Sequence, residues 1–166
     1  LIPLVHLWLA YLWAAFCLDF SALLVILCGG STDPGFRNPL LESRSVKEAW
    51  GERWNLPIQL FLKRSVYVPA RKAGMSRGQA VLLTFFSSGL LHEYNFSMHN
   101  HIAYEPGCAT AFFVAMGVMV VFEGWLGHLN LPRAHRALQA LPASVIAIAL
   151  QCIVIPLCSP LFMHSW

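Results

Sequence analysis

GQAVLLTFFSSGLLHEYNFSM (Gly78–Met98) is apolar over most of its length, yet it carries His92 and Glu93 side by side near one end. Its length suits the roughly 20 residues needed to cross a hydrocarbon core of about 30 Å. Leu4–Cys28, Cys108–Leu126 and Ala143–Met163 are similar runs. The chain is 57% hydrophobic and 11% charged, with a mean hydropathy of +0.59. That leaves too little charge to cover the surface of a soluble domain of this size. The expected fold is all-α, a multi-pass transmembrane helical bundle forming a single domain over residues 1–166. Its four spans are expected near 4–28, 78–98, 108–126 and 143–163. The first run lacks a basic leading segment and a small-residue cleavage site, so it reads as a span rather than a signal peptide. The chain starts at Leu1 rather than Met and is expected to be a piece of a longer protein.

Charge orients the spans. Nine of the 11 Lys and Arg residues fall between Arg37 and Arg77, and Arg133 and Arg136 lie between the third and fourth runs. Cytoplasmic loops collect basic residues, so Arg37–Arg77 and His128–Leu141 are expected on the cytoplasmic side. The His99–Pro106 turn and both chain ends are then lumenal or exterior. A net charge of +3 invites a nucleic-acid reading. Basic flanks that orient spans and meet anionic lipid heads explain it better, so a lipid bilayer is expected and no nucleic acid. The five cysteines show no C-x-x-C spacing and read as small apolar packing residues, without disulfide or zinc. Nothing in the sequence indicates an oligomeric state.

The cytoplasmic segment, 31–77, is expected to carry interfacial amphipathic helices. Ser45-Val46-Lys47-Glu48 fits a capping box, and Trp50 and Trp54 follow at i,i+4 spacing, as for a helix lying in the membrane interface. Pro57 is acceptable in the first turn of a new helix, and the stretch Ile58–Val68 is expected to end near Val68-Pro69.

On a helix, Ser88 and Gly89 lie beneath His92, leaving room for a neighbouring helix or a ligand. The bland reading is a histidine that hydrogen-bonds across helices over a small-residue contact. The functional one is that an ionisable residue in a membrane span marks a site. Metal is the other candidate, since His92, Glu93, His99 and His101 are close in sequence. The H-E-x-x-H pattern needs histidine at position 96, where this chain has Phe96, and no metal is expected.

Two motifs resemble the membrane-bound O-acyltransferase family. AWGERWNLPIQLFLKRSVYVPARK (Ala49–Lys72) is similar to its W-N-x-P segment followed by a basic pair and Y-x-P. TFFSSGLLHEY (Thr84–Tyr94) is similar to its small-residue-rich helix ending in H-E. Asn55 and His92 stand 37 positions apart, close to the spacing of the family's paired signature residues. The WG-x-RWN form and the LKRSVYVPAR run look most like the wax synthase (long-chain-alcohol O-fatty-acyltransferase) branch. Gln59 stands where the diacylglycerol and sterol enzymes usually have histidine, while Tyr94 after H-E is more like the diacylglycerol enzymes.

The resemblance implies a bundle that is part of a longer fold. It also implies an acyl-CoA-dependent O-acyltransferase of the endoplasmic reticulum membrane, with acyl-CoA as co-substrate and no other cofactor. The implied acceptor is a lipid hydroxyl, first a long-chain alcohol. A sterol or diacylglycerol acyltransferase, and a non-catalytic protein that binds lipid or acyl-CoA, are the alternatives. His92 would be the general base, and Asn55 would orient the thioester or stabilise its oxyanion through the amide N–H. Trp54, Ser88, Gly89, Glu93, Lys63 and Arg64 are the candidate substrate-binding residues.

Overall fold

The computed structural model describes residues 2–99, 105–127 and 141–163, with side chains described for 5, 7–98, 105–127 and 141–154. Four long helices carry the fold: α1 (Ile2–Leu27), α6 (Arg77–His99), α7 (Cys108–Gly127) and α8 (Ala143–Met163). Between α1 and α6 lie four short ones: α2 (Pro39–Glu42), α3 (Val46–Glu48), α4 (Leu56–Leu62) and α5 (Val68–Lys72). Among the described residues there is no strand.

Among the described residues, two helical stretches are long and apolar enough to cross a membrane, Leu7–Leu27 and Cys108–Gly127. α1 presents Leu9, Trp13, Phe16 and Phe20 outward, as a lipid-facing helix does. α6 has the length, but Ser87, Ser88, His92, Glu93 and Asn95 dilute its apolarity. α1 ends in a Schellman motif: Gly29 takes φ 82°. Its N–H bonds the Ile26 carbonyl at 2.9 Å, and the Gly30 N–H bonds that of Val25 at 2.9 Å. The connection turns back along α1, and a Cβ on Gly35 would stand 2.7 Å from Leu18 Cδ1.

α6 and α7 form the tightest pair. A Cβ on Gly89 would stand 2.7 Å from Thr110 Cα, and one on Gly117 would stand 2.9 Å from Phe85 Cβ. Lipid tails are as apolar as leucine, so helices in a membrane gain from close packing rather than from burial, and small residues permit it. Glu93 completes the pair by accepting the Thr110 N–H at 2.7 Å and the Gly107 N–H at 3.1 Å, groups that the first turn of α7 leaves open. The core cluster lies against this pair: Val46, Phe112, Phe113, Met116 and Val154, with Trp50, Phe85 and Leu150 packed on it. α8 joins through Gln151, whose amide bonds the Leu40 carbonyl and accepts the Trp8 indole N–H at 3.1 Å.

The interfacial segment differs from expectation in two places. Ser45 does cap α3, accepting the Glu48 N–H at 3.0 Å, and the Glu48 carboxylate accepts the Arg44 N–H at 2.9 Å. The chain then widens into a π turn over Ala49–Arg53. This turns Trp50 inward onto Phe85, Phe112 and Phe113, with ring centroids 6.0–6.5 Å apart, rather than outward to the membrane interface. The second difference is at Pro69. Helical structure continues beyond it to Lys72, because a second π turn over Lys63–Tyr67 shifts the ladder before the proline, whose missing N–H then falls in a first turn.

Candidate active site

Asn55 stands just before α4 in a left-handed conformation, φ 41° and ψ 64°. Asparagine is among the few side chains that tolerate this region. The chain on either side is tied to one neighbouring strip. The Arg37 N–H bonds the Arg53 carbonyl at 3.0 Å, and the Leu56 N–H bonds the Gly35 carbonyl at 2.8 Å. Asn55 Oδ1 is buried and has no hydrogen-bond partner among the described residues. Leaving such an atom unpaired costs about 1–3 kcal/mol, and groups of this kind gather at working sites.

His92 is half-buried on α6. Its ring stacks on Phe113 with centroids 4.2 Å apart and planes at 32°. Its Nδ1 lies 2.8 Å from the Ser88 carbonyl oxygen. A carbonyl only accepts, so Nδ1 carries the proton and the neutral ring keeps its lone pair on Nε2. Stacking and hydrogen bond together fix both orientation and tautomer.

Both residues line one cavity of about 340 Å³. From α6 it is lined by Arg77, Thr84, Phe85, Ser88 and His92, a single stripe along the helix. The rise of a helix places Arg77 and His92 about 22 Å apart along that stripe. Trp50, Trp54, Gln59, Lys63 and Tyr67 close the facing wall, with Phe113 from α7. Arg77 therefore stands at one end of the stripe and the imidazole at the other, and Lys63 adds a second basic group to the lining. Trp54 packs edge-on against Phe36 at 5.4 Å and tilted against Trp50 at 5.3 Å. Gln59 donates its amide N–H to the Gly51 carbonyl and braces the turn before Asn55.

Five of the sequence candidates thus meet in this cavity: Asn55, His92, Trp54, Ser88 and Lys63. Three do not. Gly89 is buried against α7, where Thr110 takes the space that a ligand would need. Glu93 is committed to the first turn of α7. Arg64 is exposed, one position round the helix from Lys63 and off the lining. Arg77, Thr84, Tyr67 and Phe113 were missed. The spacing of Arg77, Thr84, Ser88 and His92 along one face of an apolar run was a readable signal for two of them. Phe113 is placed only by tertiary packing. Among the described residues, no group of three His, Cys, Asp or Glu side chains converges to hold a metal.

Off the cavity lining, Arg53 ties the segment together. Its Nε bonds Glu48 at 2.7 Å, and its Nη1 bonds Glu42 at 2.8 Å and the Arg37 carbonyl at 2.8 Å. The Asn38 amide, and then Arg53, hold the Glu42 carboxyl below the usual range. Burial works to raise Glu48, but the Arg44 N–H and Arg53 outweigh it and bring it down as well.

The sequence profile described as MBOAT, membrane-bound O-acyltransferase family, matches residues 1–155. A probable long-chain-alcohol O-fatty-acyltransferase 2 of Arabidopsis thaliana is 32% identical over 149 residues, which is 83% of this chain and 42% of that protein. Another from that plant, probable long-chain-alcohol O-fatty-acyltransferase 8, is 34% identical over 112 residues, 62% of this chain and 32% of its own. Diacylglycerol O-acyltransferase 1-2 of Oryza sativa subsp. japonica is 31% identical over 101 residues, 61% of this chain and 20% of its own. The chain spans less than half the length of these relatives. No solved structure matches it. With a match that takes in both the Asn55 turn and the His92 helix, the chain belongs to the membrane-bound O-acyltransferase family.

Proposed function

We propose that the protein containing this chain transfers a fatty acyl group from acyl-CoA to the hydroxyl of a long-chain alcohol, forming a wax ester. The observation that carries this reading is the shared cavity, with Asn55 and His92 both on its lining together with the basic residues Lys63 and Arg77. A donor whose phosphates stay at the surface and whose thioester reaches inward suits that lining. Lys63 and Arg77 face the phosphates, and the stripe of α6 leads the pantetheine arm to His92. The proposal includes all four long helices as spans and 31–77 on the cytoplasmic side, in the endoplasmic reticulum membrane.

In the reaction, His92 Nε2 takes the proton of the acceptor hydroxyl as its oxygen attacks the thioester carbonyl carbon. The Nδ1–H bond to Ser88 keeps Nε2 free for this and steadies the imidazolium that forms. The carbonyl oxygen becomes an oxyanion, which the Asn55 amide N–H stabilises, while Oδ1 accepts a donor such as an amide N–H of the pantetheine arm. The carbon–sulfur bond then breaks, and the coenzyme A sulfur leaves with the proton returned by His92. No covalent acyl-enzyme and no further cofactor is needed.

The named relatives support a fatty alcohol as acceptor, and Gln59 in the site is in keeping with that branch. Diacylglycerol is the second reading, favoured by the rice relative. Membranes bearing the full-length protein, given labelled acyl-CoA with fatty alcohol, sterol and diacylglycerol in competition, decide between them. Wax ester should dominate. Predominant triacylglycerol would overturn the acceptor and leave the acyl transfer standing.

A further inference from the structure

We infer that Arg53 is a positioning residue for this reaction, holding Asn55 in the backbone conformation that carries its amide into the cavity. The inference rests on the role proposed above for Asn55. Arg53 is not on the cavity lining, so it does not act on substrate itself. It lies two residues before Asn55, and its guanidinium spends its donors on three acceptors from three places in the chain: Glu48, Glu42 and the Arg37 carbonyl. The strip it grips also receives the backbone on both sides of Asn55. Arg37 donates to the Arg53 carbonyl, and Gly35 accepts from the Leu56 N–H.

A non-glycine residue in the left-handed region is strained by about 1–3 kcal/mol, and it persists only where its surroundings over-determine it. Here those surroundings are the two backbone bonds to 35–37 and the arginine that fastens that strip to α2 and α3. Exposed ion pairs add little to stability, and Arg53 and Glu42 are both partly open to solvent. Loss of the arginine should therefore disturb the placement of Asn55 more than it disturbs folding. Lysine cannot replace it, because one ammonium lacks the planar fork that spans two carboxylates and a carbonyl.

The test uses full-length protein in membranes, comparing Arg53→Ala, Arg53→Lys, Asn55→Ala and the Arg53→Ala/Asn55→Ala pair. Arg53→Ala should lower kcat by about 10²-fold, the effect of a displacement of about 1 Å at a reacting centre, with KM for acyl-CoA nearly unchanged. Arg53→Lys should remain in the slow class. The double variant should be no slower than Asn55→Ala, since the arginine acts only through the asparagine. Losses that multiply in the double variant would overturn the action of Arg53 through Asn55 while keeping Asn55 itself. Wild-type turnover in Asn55→Ala would overturn both. If Arg53→Ala yields no folded protein, Glu48→Gln, which keeps shape and takes the charge from one anchor, should show the same dependence on Asn55. Multiplying losses there would likewise reject the inference.

Discussion

Gly89→Ala separates packing from chemistry on α6. The added Cβ would lie 2.7 Å from Thr110 Cα and 3.3 Å from Thr110 Cβ, the first of these a backbone atom that no rotamer change can move. Carbon atoms pack best at about 3.5–4.0 Å, so α6 and α7 must part by roughly 1 Å. Parting them stretches the 2.7 Å bond from Thr110 N–H to Glu93 toward the limit of a hydrogen bond, and it moves Phe113 off the His92 ring. Overpacking of this kind costs about 1–3 kcal/mol, against a gain of about 1 kcal/mol for alanine over glycine within a helix. A net loss of up to about 2 kcal/mol is expected, with turnover falling as His92 loses its support. Gly124→Ala is the control. That glycine sits in α7 with no atom within 4 Å of an added Cβ among the described residues, so only the helix gain applies. Thermal midpoints and turnover of the full-length variants in detergent would be measured side by side. Equal stability and equal activity in Gly89→Ala and Gly124→Ala would refute the close crossing, and with it the packing role of Gly89.

Glu93→Ala should destabilise by about 1–3 kcal/mol, because the Gly107 and Thr110 N–H groups lose their acceptor. Acyl-CoA binding by the folded fraction should stay near wild type, and a selective loss of binding would return Glu93 to the substrate site. Glu42 and Glu48 are both held below their ordinary values, so the folded state favours their ionised forms. Their contribution is complete above the ordinary carboxylate range and fades as pH falls through the lowered values. The difference in thermal midpoint between wild type and Glu48→Gln should shrink on acidification over that window, and a gap independent of pH would argue against the ion-pair origin.

Much of the architecture was legible because hydrophobic length is a strong signal. The four apolar runs correspond to α1, α6, α7 and α8 to within a few residues. The Ser45 cap was legible too, since it depends on side chains three positions apart. Trp50 was not. Its i,i+4 relation to Trp54 assumed an α-helix, and a π turn changes the direction of every side chain after it. Pro69 failed as a stop signal for the same reason, with the wide turn over Lys63–Tyr67 absorbing the missing donor. In the candidate site, the motif residues Asn55 and His92 came from the sequence, and so did Ser88, by helical phase. Gly89 and Glu93 each follow a cavity residue, Ser88 and His92, but face α7, and one helical step of about 100° is enough to part a cavity wall from a helix contact. The orientation assigned to the His99–Pro106 turn and the His128–Leu141 segment falls largely outside the described residues.

The central claim is that His92 does chemistry in the cavity it shares with Asn55. The most direct measurement is turnover by full-length His92→Ala, with acyl-CoA binding taken on the same preparation. A general base is worth about 10²–10⁴-fold, so turnover should fall by that factor while binding and expression stay near wild type. A loss of less than about tenfold, or aggregation with full activity per folded molecule, would contradict the claim and make His92 a packing residue.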